Sequence, residues 1–211
     1  MKKSRLPASE AELVESAQRG DRDAFYELIR PYERMVYATA ISVLKNPADA
    51  EEVAQEAFLK AFIGLKSFRS EAKFSTWVLQ ICYNEARTRV RKARAHLYDS
   101  LDERSENGER AHWPRDFADW QPIPSEVLEK KEIREAVHEA INSLSPTYRA
   151  VLVLRDVQHL SVKETTAVLG ISETNVKTRL HRARLQLRDA LAPGLDGWWV
   201  RGGAYRKVRT W

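Results

Sequence analysis

An all-α fold of two small helical domains is what this sequence predicts, and three observations predict it. The eight glycines and eight prolines are gathered at a few punctuation points. Between these points apolar residues recur near every 3.6 positions, with no sustained alternation. Helix start signals stand where the periodic stretches begin.

The first start signal is Ser9-x-x-Glu12, a capping box in which serine and glutamate each satisfy a free backbone N–H of the first turn. Asn46-Pro47 pairs an N-cap residue with proline at the first helical position, and Asp49, Glu51 and Glu52 then suit the positive end of the helix dipole. The helix predicted over 48–64 turns Val53, Ala54, Ala57, Phe58 and Ala61 toward a core. Its other face carries Glu52, Gln55 and Glu56 together with Leu59 and Ile63. Apolar side chains beside carboxylates on a solvent face fit a partner-docking strip. They also fit the scattered hydrophobes normal on a monomer.

A further helix is predicted over 75–94. Val78, Cys82, Ala86 and Val90 face inward, which makes Cys82 a buried, unreactive thiol. Trp77, Gln80, Asn84, Arg87, Thr88 and Arg91 share the opposite face, and the basic run continues to Arg94. The polar loop Phe68-Arg-Ser-Glu-Ala-Lys-Phe74 precedes this helix and adds Arg69, Ser70 and Lys73 between two aromatics. Aromatics interleaved with amides and arginines suit unstacked bases, which need stacking surfaces, edge partners and phosphate clamps. Phe68, Phe74 and Trp77 fit equally well as core anchors.

Residues 97–125 hold seven acids against three arginines, with one glycine and three prolines, in a chain whose formal charge is +5. This stretch reads as an acidic, flexible linker between domains at 8–96 and 126–191. In the second domain Ser145-Pro146 and the capping box Ser161-x-x-Glu164 start helices. A short helix over 161–169, a turn at Gly170-Ile171-Ser172 and a longer helix over 173–191 form a helix-turn-helix. Val176, Leu180, Ala183 and Leu187 face the domain. Thr174, Asn175, Thr178, His181 and Arg182 lie opposite, flanked by Lys177, Arg179, Arg184 and Arg188. Small polar groups with basic flanks suit a recognition helix in a major groove, the flanking charges holding phosphates. The tail 192–211 carries Trp198, Trp199, Tyr205 and Trp211 among basic residues, and its role is open.

Composition narrows the function. Thirty-five basic residues against 30 acidic ones suit a polyanionic partner, and 43% hydrophobic residues support a packed core. With Cys82 the only cysteine, neither an intrachain disulfide nor a multi-cysteine metal site is expected. The five histidines show no metal-ligand spacing, no Walker-type loop is present, and Ser42-Val-Leu-Lys45 is a chance match to a penicillin-recognising string. No enzymatic chemistry and no cofactor are expected. No apolar run approaches the roughly 18 residues of a membrane span, and the basic N-terminus has no apolar signal core. A soluble, cytoplasmic protein is the expectation.

These segments, in this order, resemble the extracytoplasmic-function sigma factors of bacterial RNA polymerase. The resemblance rests on Glu51-Glu-Val-Ala-Gln-Glu-Ala-Phe-Leu-Lys-Ala-Phe62, on Phe68 to Trp77 followed by Asn84-Glu-Ala-Arg87, and on Leu144 to Arg155 with Asn175 to Arg184. It spans about 10–95 and 126–190. It implies that Glu52, Gln55, Glu56, Leu59 and Ile63 dock on the clamp coiled coil of the polymerase largest subunit. It implies that the loop 68–74 and Asn84 capture a flipped base of the −10 element, with Trp77 on the same face and Gln80, Arg87, Thr88 and Arg91 near duplex or phosphates. Lys177, Thr178, His181 and Arg182 would reach base edges at −35, alongside Thr174 and Asn175, with Arg179, Arg184 and Arg188 on phosphate. It implies a linker threaded through core polymerase, an anti-sigma factor as partner, and a nucleoid association through polymerase. Glu52 stands where the family more usually has aspartate, His181 is not a fixed family residue, and family members usually end soon after the recognition helix.

Two readings from other classes fit parts of the chain. A free-standing helix-turn-helix regulator needs neither the docking strip nor the −10 face. An anti-sigma-type or scaffold protein would bind no DNA.

Overall fold

The computed structural model describes residues 9–69, 71–99 and 124–195, and every regular element among them is helical. The first unit comprises α1 (Glu10–Gln18), α2 (Arg22–Ile29), α3 (Glu33–Leu44), α4 (Pro47–Gly64) and α5 (Phe74–Asp99). The second comprises α6 (Pro124–Ser143), α7 (Pro146–Leu152), α8 (Val162–Leu169) and α9 (Glu173–Leu195). The predicted linker and tail lie almost wholly outside the described residues. α5 runs three residues past the predicted boundary at 96, and α6 begins at Pro124, two residues before 126.

The local start signals act as the sequence predicts. Ser9 and Ser161 each head a complete capping box with Glu12 and Glu164. Asn46 accepts from the Asp49 N–H, and the Ser172 Oγ accepts from the Asn175 N–H at 3.3 Å. Ser145 has the extended backbone of an N-cap, but its side chain makes no capping bond.

α3, α4 and α5 pack against one another around Val36, Ile41, Ala57, Val78 and Cys82, all buried. The Cys82 thiol donates to the Val36 carbonyl at 3.3 Å, and burial pushes it up to about 12, well out of the reactive range. Ser42, the serine of the chance string, is buried with its hydroxyl on the Thr39 carbonyl at 2.7 Å. In α1 the Gln18 amide donates to the carbonyls of Leu65 and Phe68, both at 3.1 Å, and so fixes the approach to the polar loop before α5.

In the second unit α9 packs on α7 through Val176, Leu180 and Ala183, all buried. α7 runs into a π-helical turn, Val153–Val157, and His159 follows with a left-handed φ of 58°. Gly170 closes α8 at φ 64°, a conformation glycine adopts without a Cβ penalty, and this permits the tight turn into α9.

The two units are in contact, which the sequence did not predict. α3 meets α7, and α5 meets α8. The Gln158 amide donates to the Met35 carbonyl at 2.9 Å and to the Thr39 hydroxyl at 3.1 Å. The Lys73 ammonium stands 2.8 Å from the Glu164 carboxylate.

Candidate nucleic-acid and partner interfaces

The acidic strip of α4 faces outward. Glu52, Gln55 and Glu56 are exposed, and Leu59 and Ile63 are 56% and 70% exposed. A leucine and an isoleucine left in water on successive turns bury nothing within this chain. The carboxylates are not free charges, however. Arg89 of α5 pairs with both Asp49 and Glu52, which lowers the Glu52 pKa, and Lys60 bridges Glu56 at 3.3 Å and Glu85 at 2.6 Å. Glu56, Lys60, Glu85 and Arg89 line a groove of about 400 Å³ between α4 and α5. Arg89 and Lys60 are not among the residues expected at this strip. The Glu56-x-x-x-Lys60 spacing signalled the second, whereas nothing local signals Arg89.

The face expected to meet the −10 strand divides in two. Arg69, Lys73, Gln80, Asn84, Arg87 and Arg91 are exposed, while Ser70 lies outside the described residues. Phe74 is 1% exposed and Phe68 9%. Both are corrected from base-facing groups to anchors of the loop. Their rings meet edge to face with centroids 5.8 Å apart, and burying such area outweighs offering it to a base. Trp77 is half-buried, 5.0 Å from the Phe68 ring by centroid and against Gly64 of α4. Thr88 is half-buried and lines the α4–α5 groove beside Glu56 and Lys60. Arg87 lies over the Tyr83 ring, 5.7 Å from its centroid.

On α9 the residues Thr174, Asn175, Lys177, Thr178, His181 and Arg182 are exposed along one face. Asn175, Thr178, Arg179 and Arg182 line a groove of about 330 Å³ with Ser145 and Tyr148 at the start of α7. That concave, basic surface beside a protruding helix suits a phosphate strand flanking a major groove. Three flanking cations already have partners. Arg184 forms a two-point pair with Asp156, Arg188 pairs with Asp189 at 2.7 Å, and Lys177 stands 3.7 Å from Glu173. The Arg184 pair ties α9 to the π-helical turn. No helix among the described residues is long and apolar enough to cross a membrane.

Comparison with known proteins falls along the same division. Residues 28–96 match the family model for sigma-70 region 2, and residues 134–187 match that for sigma-70 region 4. The chain is 32% identical over 178 residues to the ECF RNA polymerase sigma factor SigW of Bacillus subtilis, covering 84% of this chain and 94% of that protein. It is 30% identical to the ECF RNA polymerase sigma-E factor of Escherichia coli K12, covering 86% and 93%. Among solved structures, the sigma factor RpoE of Bartonella quintana, crystallised with the anti-sigma factor NepR, aligns with a TM-score of 0.64 at 23% identity, covering 81% of this chain and 98% of that one. CnrH, solved with the cytosolic domain of CnrY, aligns with a TM-score of 0.58 at 23% identity, covering 88% and 98%.

Proposed function

The chain belongs to the extracytoplasmic-function sigma factors, promoter-recognition subunits of bacterial RNA polymerase, and on that premise we propose which surface performs each step. The α4 strip of Glu52, Gln55, Glu56, Leu59 and Ile63 docks on the clamp coiled coil of the polymerase largest subunit. The observation that carries this is the outward Leu59 and Ile63 beside an acidic row, a surface that packing within the chain leaves unexplained. The partner's basic groups compete for Glu52 and Glu56 with Arg89 and Lys60, so docking exchanges ion pairs instead of creating them from bare charges.

Residues 28–96 read the −10 element and 134–187 the −35 element. The loop between the Phe68 and Phe74 anchors, together with Asn84, receives a flipped base. Trp77 offers its half-open ring, and Arg69, Arg87 and Arg91 hold phosphates. Capture of the base offsets unstacking, which costs a few kcal/mol per flipped nucleotide. His181, Thr178, Lys177 and Arg182 read −35 base edges from the major groove. The chain contributes binding and strand separation, while core polymerase supplies the chemistry, so it acts where polymerase acts, in the cytoplasm. An anti-sigma factor is a further partner. The solved RpoE structure, which holds the anti-sigma factor NepR, supports this.

Run-off transcription with core enzyme over a promoter library tests the whole reading. Transcripts starting at a shared −35/−10 pattern are expected. No RNA from any template, with no capture of core enzyme, would overturn it.

A further inference from the structure

We propose that α1, which precedes the segment matching sigma-70 region 2, is a splint for the −10 loop: Gln18 and the Glu10–Tyr32 pair are positioning residues that set the two ends of the loop, and discrimination of the captured base depends on them. The inference rests on the reading of that loop as the seat of a flipped base. None of the three residues is among the groups assigned to DNA.

The loop leaves one helix and enters the next at nearly the same place. Phe68 and Phe74 bound it, and their rings meet with centroids 5.8 Å apart. Between them runs Arg-Ser-Glu-Ala-Lys, with no large apolar side chain to give the loop a core of its own. Its shape therefore depends on how its two ends are held.

At the entry, the chain turns from helical to extended at Phe68, with φ −70° and ψ 114°. The Phe68 carbonyl thus has no helical N–H ahead of it to accept from. The half-buried Gln18 supplies the donor: its amide Nε2 reaches that carbonyl and the Leu65 carbonyl, both at 3.1 Å. The Leu65 carbonyl also accepts from the Phe68 N–H at 3.0 Å, so one side chain fastens both the last turn and the residue at which it stops.

At the exit, Phe74 is buried, and the Tyr32 ring lies 5.8 Å from its ring by centroid. The Tyr32 hydroxyl donates to the Glu10 carboxylate in the first turn of α1. Glu164 first, and then Glu10, favours the charged form of Lys73 in the loop. From Glu10 to Gln18 is roughly 12 Å along a helix axis, so α1 spans the base of the loop from exit to entry. α1 is itself firmly seated. Val14 and Ala17 are buried where it packs on α2, and the capping box of Ser9 and Glu12 closes its first turn. A pocket made by a loop discriminates only while its groups are held close to the productive geometry, so freeing one end leaves a base bound but poorly read.

The test uses holoenzyme assembled from the full chain and core polymerase, with fork-junction DNA randomised in its single-stranded −10 segment and its −35 duplex. Selection by the wild type finds the −10 position of strongest preference, and an abasic site is then placed there. The abasic site is expected to weaken wild-type binding about tenfold. In Gln18→Leu, which keeps much of the volume and removes both donors, this penalty is expected to fall to about twofold while −35 selection is unchanged. A merely structural loss weakens intact and abasic DNA alike and leaves the ratio where it was. Tyr32→Phe keeps the ring on Phe74 and loses the bond to Glu10. Its penalty is expected to shrink about threefold, and it carries the test should Gln18→Leu not fold. An unreduced abasic penalty in the folded variant would overturn the proposal and leave the loop as a base reader. No abasic penalty at any −10 position in the wild type would overturn that reading, and the proposal with it.

Discussion

The Arg184 guanidinium grips the Asp156 carboxylate at two points, Nε to Oδ2 at 2.9 Å and Nη2 to Oδ1 at 2.7 Å, and so joins the recognition helix to the π-helical turn. An arginine whose charge is already met contributes little counterion release on DNA. Arg184→Ala is therefore expected to leave the salt slope of −35 binding nearly unchanged, whereas Arg179→Ala lowers it by about one. Band shifts over a range of salt check this. Equal slopes lost in both variants would return Arg184 to the phosphates.

His181 is exposed on the face proposed to read bases, and Arg179 lines the groove beside it. His181→Ala is expected to relax preference at one or two −35 positions, and Arg179→Ala to weaken binding to all sequences alike. Selection from a randomised −35 library reads both outcomes.

Leu59 and Ile63 are more than half exposed, so replacing both with serine removes no core contact. Thermal stability is expected to move by less than about 0.5 kcal/mol, while capture of core polymerase falls about tenfold, as for the loss of buried apolar interface anchors. Glu52→Lys with Gln55→Ala is expected to abolish capture. A pull-down at fixed protein concentration measures both, and a large loss of melting temperature in the serine variant would mean the strip belongs to the fold.

Arg149 is fully buried without an acceptor, and desolvation pulls its pKa down to about 10. Arg149→Met keeps much of the volume and removes the unpaired cation, so stability is expected to rise by about 1–3 kcal/mol. Urea unfolding at neutral pH gives the sign.

The Lys73 ion pair and the capping bonds to Ser161 hold Glu164 down to about 2, from an ordinary value of 4.5. A carboxylate with a depressed folded-state pKa contributes its full stability above the unfolded value and loses it as pH falls toward the folded one. The link between units should therefore be flat above pH 5 and weaken between 4.5 and about 2. Distances between spin labels at Arg34→Cys and Gln186→Cys, both exposed positions, measured at pH 6 and pH 3 test this. Glu164→Gln should remove most of the difference.

Much of the fold was legible because capping and amphipathic periodicity are local. Ser9 with Glu12, Asn46 with Pro47, and Ser161 with Glu164 mark helix starts through groups at most three residues apart. The inward row Val176, Leu180, Ala183 follows from helical spacing alone. The loop aromatics were ambiguous because a phenylalanine between polar residues serves a core or a base equally well. Only the neighbouring Phe68, Phe74 and Trp77 rings, meeting one another, resolve it.

The order of segments in the chain determined by itself an all-helical protein with an outward acidic and apolar strip, a basic face on the long helix before residue 96 and a helix-turn-helix, since each is written within one or two helices. The tertiary structure alone decided that Lys73 meets Glu164, that Gln158 reaches Met35 and Thr39, and that Arg149 is buried. Those pairings depend on how two preformed surfaces fit across a long sequence separation, and no spacing rule within either surface encodes the fit.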